Sequence, residues 1–376
     1  MEITCARQQL ADALAIVERA AATRENVPVL NGILVEASPS GMSLRATDLE
    51  LSIAAFVEGQ PTEQGARVVD ARLFSSLVRR LSGETVRIAT MSGGTSVVVE
   101  SGGARFSLVS VDSQEFPAFP ELADGWRVVM GAQALYRAIA QSRFAAASSD
   151  QRPVLSGVLV EVEGESLRLV ATDSSRLAYR EVSVDRTESF GNVGLFAPRV
   201  ILPVRALEEM QRICSALDGG ESVALELGER LAVLRSGAVV LVSRLIEGTF
   251  PPYRQVFVEN LPNRVRFRRL ELLEAVQRAA LLSRRGPAVV QLSVGEGRLV
   301  VKSKEQDVAQ GEEVLEASTE GEAFEAAYQV RFLEDVLKAF DAEEMAIEVG
   351  DPSRQATLRV PGDGGYRYVL MPVRLG

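Results

Sequence analysis

Apolar positions along this chain keep switching between two spacings. Around Leu272, Leu273, Val276, Ala280 and Leu281 they recur every three to four residues, which predicts an amphipathic helix over Leu270 to Ser283. The same reading gives helices over Leu10 to Ala21 and over Leu135 to Ala147, where Leu135, Ile139 and Phe144 are the larger apolar residues. Short runs such as Val97-Val98-Val99, Phe106-Ser107-Leu108 and Ala238 to Val242 read as strands. Strands outnumber helices and arrive in hairpin-like pairs. That favours antiparallel sheets in an α+β fold over parallel βαβ units.

The pattern also repeats. Pro28-Val29-Leu30-Asn31-Gly32-Ile33-Leu34-Val35-Glu36 returns 125 residues later as Pro153-Val154-Leu155-Ser156-Gly157-Val158-Leu159-Val160-Glu161. The register holds as far as Ala46-Thr47-Asp48 and Ala171-Thr172-Asp173, with eleven of 21 positions identical. Both stretches read as β-hairpins. A fainter third copy spans Val290 to Ser303 around Gly295-Glu296-Gly297. Each copy then predicts a second helix, starting at Asp70-Ala71-Arg72, Pro203-Val204-Arg205 and Gln329-Val330-Arg331. Proline-bearing linkers at Phe116 to Gly125 and Phe250 to Pro262 interrupt the sheets. Three tandem domains follow, at 1–122, 126–252 and 260–376.

Composition removes several kinds of chemistry. Histidine is absent, so histidine-dependent nucleophile systems are excluded. Cys5 and Cys214 are the only cysteines, which leaves no disulfide framework and no expected zinc site. No phosphate-binding glycine loop occurs and no cofactor is expected. The first ten residues lack an apolar leader core, and no run is long enough to span a bilayer, so a cytoplasmic protein without membrane association is expected. The carboxylates leave one enzymatic alternative, a hydrolase built on the repeated Thr47-Asp48 and Thr172-Asp173.

The net charge of −10 argues against nucleic acid until its distribution is examined. Arg72 is followed by Arg79, Arg205 by Arg212 and Arg331 by Lys338, always seven residues on. Seven residues make nearly two helical turns, so both cations share a face in each copy. A basic helical face repeated three times suits the backbone of duplex DNA without sequence readout. Arg24, Arg152, Arg284 and Arg285 flank the hairpins and are further candidates.

Phe250-Pro251-Pro252-Tyr253-Arg254, Ala171-Thr172-Asp173 with Arg176-Leu177, and the ending Tyr368-Val369-Leu370-Met371-Pro372-Val373-Arg374-Leu375 resemble the bacterial DNA polymerase III β subunits over the whole chain. The resemblance implies three tandem repeats of the DNA-clamp fold, sheets outside and helices inside, closed by a homodimer into a ring around duplex DNA. It implies a processivity factor and no catalysis. It also implies a peptide cleft for the polymerase α subunit, the clamp loader and other polymerases and repair proteins. The matching cleft positions are Leu155, Thr172, Arg176, Leu177, Pro251, Val256, Met371, Pro372, Arg374 and Leu375, with Arg176 and Arg374 as its polar rim. Phe106, Leu108, Leu281 and Leu282 match the subunit interface. Ser174-Ser175 replaces the Gly-His of many members, and Gln255, Pro287 and Gly376 are further departures.

Overall fold

The computed structural model describes residues 1–23, 27–91, 93–148, 152–194, 198–282, 287–305 and 309–374. The first repeat holds β1 (Glu2–Ala6), α1 (Arg7–Val17), β2 (Gly32–Ser38), β3 (Gly41–Thr47), β4 (Leu51–Val57), β5 (Gly59–Glu63), β6 (Gly65–Asp70), α2 (Ala71–Arg80), β7 (Thr85–Thr90), β8 (Ser96–Ser101) and β9 (Ala104–Asp112). The second holds β10 (Gly125–Gly131), α3 (Ala132–Ala140), β11 (Gly157–Glu163), β12 (Ser166–Thr172), β13 (Arg176–Ser183), β14 (Arg186–Phe190), β15 (Arg199–Pro203), α4 (Val204–Ser215), β16 (Ser222–Leu227), β17 (Leu231–Ser236) and β18 (Val239–Arg244). The third holds β19 (Asn263–Arg268), α5 (Arg269–Ala280), β20 (Val289–Gly295), β21 (Arg298–Glu305), β22 (Ala309–Glu320), β23 (Phe324–Gln329), α6 (Val330–Lys338), β24 (Glu344–Val349), β25 (Ala356–Arg359) and β26 (Tyr366–Leu370). Each repeat thus has two helices and the same strand order. The third has one strand fewer because β22 does the work of two. Its first part pairs with β21 and its end with β19, as β5 pairs with β1 and β14 with β10.

The compact units do not follow the repeats. One comprises Met1–Gln133, Val184–Pro198 and Glu208–Leu245, and the other Ala134–Ser183, Arg199–Leu207 and Ile246–Gly376. Strand pairing is the cause. β18 pairs antiparallel with β4, so half of the second repeat joins the 14-stranded sheet of the first. β13 pairs with β26, so the other half joins the 12-stranded sheet of the third. In the first unit α1 packs on β4 and α2, burying Leu10, Leu14 and Val17 with Phe74 and Val78. In the second, α5 packs on α6 and β21.

Two features explain the recurring sequence. Pro28-Val29-Leu30 and Pro153-Val154-Leu155 form 3-10 turns, not strands as read from the hairpin pattern. Proline fixes φ and lacks the donor a ladder needs. The glycine that follows starts the strand where backbones crowd. A Cβ on Gly32 would sit 2.4 Å from Val68 Cγ1, and one on Gly157 would sit 2.7 Å from the Leu202 carbonyl oxygen. The repeated Thr-Asp is also structural. Asp48 Oδ1 accepts from the Glu50 and Leu51 amides, and Thr47 Oγ1 from Leu49, whose φ is 75°. Asp173 Oδ1 accepts from Ser175 and Arg176, and Thr172 Oγ1 from Ser174, whose φ is 79°. Side-chain acceptors of this kind hold tight turns. The hydrolase alternative therefore loses its motif.

The first helices differ from their sequence-read bounds. α1 starts at Arg7, because its polar first turn carries no apolar signal, and it gives way to a 3-10 turn at Glu18–Ala20.

Candidate functional site

In the second unit a cavity of about 290 Å³ opens beside the β12–β13 turn. Thr172, Ser174, Ser175 and Leu177 form one wall. Pro251, Pro252, Tyr253 and Val256 form another, and Val369 with Met371 complete it from the end of β26. The β13–β26 ladder makes this possible. It sets Leu177 opposite Val369, and the Met371 amide then donates to the Ser175 carbonyl at 2.9 Å. The Val373 amide donates to the Ala327 carbonyl at 2.7 Å, so the tail stays pinned beyond its strand. Met371 is 42% exposed, a large apolar side chain offered to solvent at the cavity mouth.

The sequence-read cleft residues divide four ways. Thr172, Arg176, Leu177, Pro251, Val256 and Met371 line the cavity together. Leu155 is core beneath it, packed in a buried cluster with Leu177, Tyr253 and Val369. Pro372 is half-buried and Arg374 exposed, both off the cavity wall, and Leu375 lies outside the described residues. Tyr253 and Val369 were missed as site residues. The alternation of Tyr366 to Leu370, paired in register with β13, was the signal that could have found Val369.

Arg176 is not a solvated rim. It is 3% exposed. Its guanidinium bonds Asp173 Oδ2 at 3.0 Å, Asp335 Oδ2 at 2.6 Å and the Phe144 carbonyl at 2.6 Å, and it stacks over Phe332 at 4.4 Å. Burial pulls its pKa down, but Tyr368 and Asp335 outweigh that and leave it above the usual value. Arg176 is a charged strut that fixes the cavity wall to α6. Asp335→Asn should lower stability by about 1.5–3 kcal/mol, the usual worth of a hydrogen bond to a charged group. An unchanged midpoint in urea unfolding would show that Asp173 and the Phe144 carbonyl suffice to hold the guanidinium.

Arg152, also a candidate DNA contact, lines this cavity and donates to Ser174 Oγ at 2.9 Å. Ser174 is held at positive φ where a glycine would be unstrained. Its hydroxyl gives that position a partner for Arg152 that glycine lacks.

The second helices carry their cations outward. Arg72, Arg79, Arg205, Arg212, Arg331 and Lys338 are all exposed. Arg24, Arg284 and Arg285 lie outside the described residues.

The interface candidates flank two strand edges that have no partner among the described residues. Residues 104–109 of β9 pair with β8 on one side, and residues 309–316 of β22 pair with β21 on one side. Phe106 is 44% and Leu281 79% exposed. Leu282 is half-buried and reaches Gly311 of β22, where a Cβ would lie 3.1 Å from Leu282 Cδ1. Leu108 is buried opposite Val97 in its own sheet, on the same face of β9 as Phe106.

No group of His, Cys, Asp or Glu able to hold a metal occurs among the described residues. Burial pushes the Cys5 thiol up to about 11 and Cys214 to about 12, which keeps both protonated and unreactive.

Profiles of the N-terminal, central and C-terminal domains of the DNA polymerase III beta subunit match residues 1–120, 130–252 and 254–374. The chain belongs to the DNA polymerase III beta subunit family. Within that family, the beta sliding clamp of Salmonella typhimurium is 31% identical, and that of Staphylococcus aureus N315 is 28% identical. The alignments cover all of this chain and 100% and 99% of those proteins. The crystal structure of the sliding clamp from Bacillus subtilis superposes with a TM-score of 0.92 at 27% identity, and that from Caulobacter crescentus with 0.89 at 28%. Both superpositions span the full length of each chain. The three tandem clamp domains expected from the repeats are therefore the family's fold.

Proposed function

We propose that two copies of this chain close head to tail into a ring around duplex DNA, with domains at 1–122, 126–252 and 260–376. The family is one of non-enzymatic DNA polymerase processivity factors, and this chain is one of them. The observation that carries the ring is a pair of unfilled strand edges. The last strand of the second repeat, β18, pairs with β4 of the first, from Leu51↔Ser243 to Ala55↔Val239. The last strand of the third, β26, pairs with β13 of the second in the same register, from Arg176↔Leu370 to Arg180↔Tyr366. By the same rule β9, the last strand of the first repeat, needs the counterpart of β4 and β13. That counterpart is β22, whose edge is open. A second copy supplies it, and such a heterologous contact must close by rotation. Closure would also remove edges that invite aggregation.

Matching first residues of β4, β13 and β22 gives the register. Leu108 faces Ala309, Phe106 faces Gly311 and Arg105 faces Glu312. Phe106 then meets a glycine beside Leu282, and an arginine meets a carboxylate.

In this reading Arg24, Arg72, Arg79, Arg152, Arg205, Arg212, Arg284, Arg285, Arg331 and Lys338 serve the duplex. The cavity at Leu177 and Met371 takes short linear motifs from the polymerase α subunit, the clamp loader and other polymerases and repair proteins. Its mostly apolar walls and few polar groups suit peptide anchors. In this reading the protein works where the DNA is, in the cytoplasm. Among the described residues no helix is long and apolar enough to cross a membrane.

Retention on DNA tests the ring. After loading by a clamp loader, the protein should co-elute with nicked circular plasmid and be lost when the plasmid is linearised. Equal retention on both forms, or on neither, would overturn encirclement.

A further inference from the structure

The second helices align residue for residue, and the alignment exposes an inequality. In the first repeat the two cations enclose serines: Arg72, Ser75, Ser76, Arg79. In the others they enclose acids: Arg205, Glu208, Glu209, Arg212, and Arg331, Glu334, Asp335, Lys338. α2 also ends in Arg80 and contains no acid within its bounds, so it carries three positive charges against the single carboxylate of its N-cap, Asp70, whereas α4 and α6 each balance two against two. The contacts follow the composition. Arg212 lies 3.5 Å from Glu209, Arg331 lies 3.9 Å from Asp335, and Lys338 pairs with Glu334. Among the described residues Arg72, Arg79 and Arg80 have no carboxylate at ion-pair distance, and all three are exposed.

We propose that the duplex is gripped unequally, with α2 of the first repeat as the principal phosphate-binding face and α4 and α6 as nearly neutral guides. The proposal rests on the DNA-encircling reading above. Its physical basis is distance. Acids three or four residues from a cation lie about 4.5–6 Å along the helix axis. That is inside the screening length of about 8–10 Å at ordinary ionic strength. A phosphate approaching Arg205 or Arg331 therefore feels both signs, while one approaching the Arg79–Arg80 end of α2, about 13–15 Å along the axis from the N-cap Asp70, feels only attraction from its helix. Glu209 is also held from a second side by Arg19 at 3.7 Å, and Asp335 is committed to Arg176. These acids are built into the fold and do not simply swing away. A closed dimer would present two strong faces, one per copy, and weak ones elsewhere. Such a ring lets DNA lean on one α2 at a time, which suits a clamp that must hold without stalling.

The salt dependence of binding to a short duplex reads this directly, since each lost phosphate contact lowers the log–log slope by about 0.9. Arg72→Gln, Arg79→Gln and Arg80→Gln together should reduce the slope by about 2.7 on that scale. Arg205→Gln with Arg212→Gln, or Arg331→Gln with Lys338→Gln, should each reduce it by less than about 1. Conversely, Glu208→Ser with Glu209→Ser gives the second repeat the serines of the first, and should raise both slope and affinity. Glu209 is 12% exposed, so Glu208→Ser alone serves if the pair unfolds. Equal slope losses from the three helices, or no gain from removing the acids, would overturn the unequal grip. A wild-type protein with neither salt-dependent binding nor retention on circles would instead sink the encircling reading itself.

Discussion

Leu281→Lys with Leu282→Asp should give a folded monomer that is no longer retained on circular DNA. Leu281 is 79% exposed within one chain, so its replacement costs the protomer little. In the proposed contact it would be buried, and each such leucine contributes about 1.5–3 kcal/mol. Two lost leucines and two charges left without partners should weaken dimerisation by at least about a hundredfold, since 1.4 kcal/mol is a factor of ten. Leu282 touches Gly311 in its own chain, so Leu281→Lys alone separates assembly from folding. Sedimentation with circular dichroism reads the outcome, and a dimer of unaltered affinity would move the interface elsewhere. The register has its own check. Phe106→Cys with Gly311→Cys should form an intermolecular disulfide under mild oxidation, and both native cysteines are buried and will not compete. Absence of that crosslink in a protein that still dimerises would show the strands pairing in another register.

Deleting Met371 to Gly376 should abolish binding of short polymerase-derived peptides while leaving the dimer intact. The cavity loses the one wall residue that reaches from the tail to its mouth. The fold loses the amide bonds of Met371 and Val373, worth about 0.5–1.5 kcal/mol each. β26 ends at Leu370, so its pairing with β13 survives the cut. Anchor side chains in such pockets often carry 2 kcal/mol or more. Met371→Ala alone should therefore weaken the peptide about thirtyfold. Fluorescence anisotropy of a labelled peptide measures both variants. Full affinity in the truncated protein would place the docking site away from Leu177 and Met371.

Much of this organisation is legible in the sequence because repetition averages out local noise. The offset of 125 survives in the structure as identical ladder registers at β4–β18 and β13–β26. The second helices were legible because their starts align on arginine. What escaped was set by partners distant in sequence. Nothing near Arg176 announces that Asp335, 159 residues on, will bury its charge. Phe106 and Leu108 share one face of β9, opposite Val99 and Val97, and nothing local in the sequence tells that the first stays 44% exposed while the second is buried. The serine-for-acid exchange in α2 was readable from the start. It gains meaning only when the exposure and pairing of each cation are known.

The mismatch between repeats and compact units bears on how this protein can be taken apart. The second repeat donates β18 to one sheet and β13 to another, each as an interior strand. A fragment cut at the repeat boundaries, 126–252, would leave both strands with bare backbone donors and acceptors along one side. Such edges recruit any available strand, so the excised piece should self-associate or aggregate. Recombination between related clamp genes meets the same constraint. A crossover in the linkers at 116–125 or 250–262 keeps each repeat whole, yet it splits strand pairs that must match in register and side-chain volume. The segments that exchange with least damage are those that carry both partners of a ladder, β4 with β18 or β13 with β26.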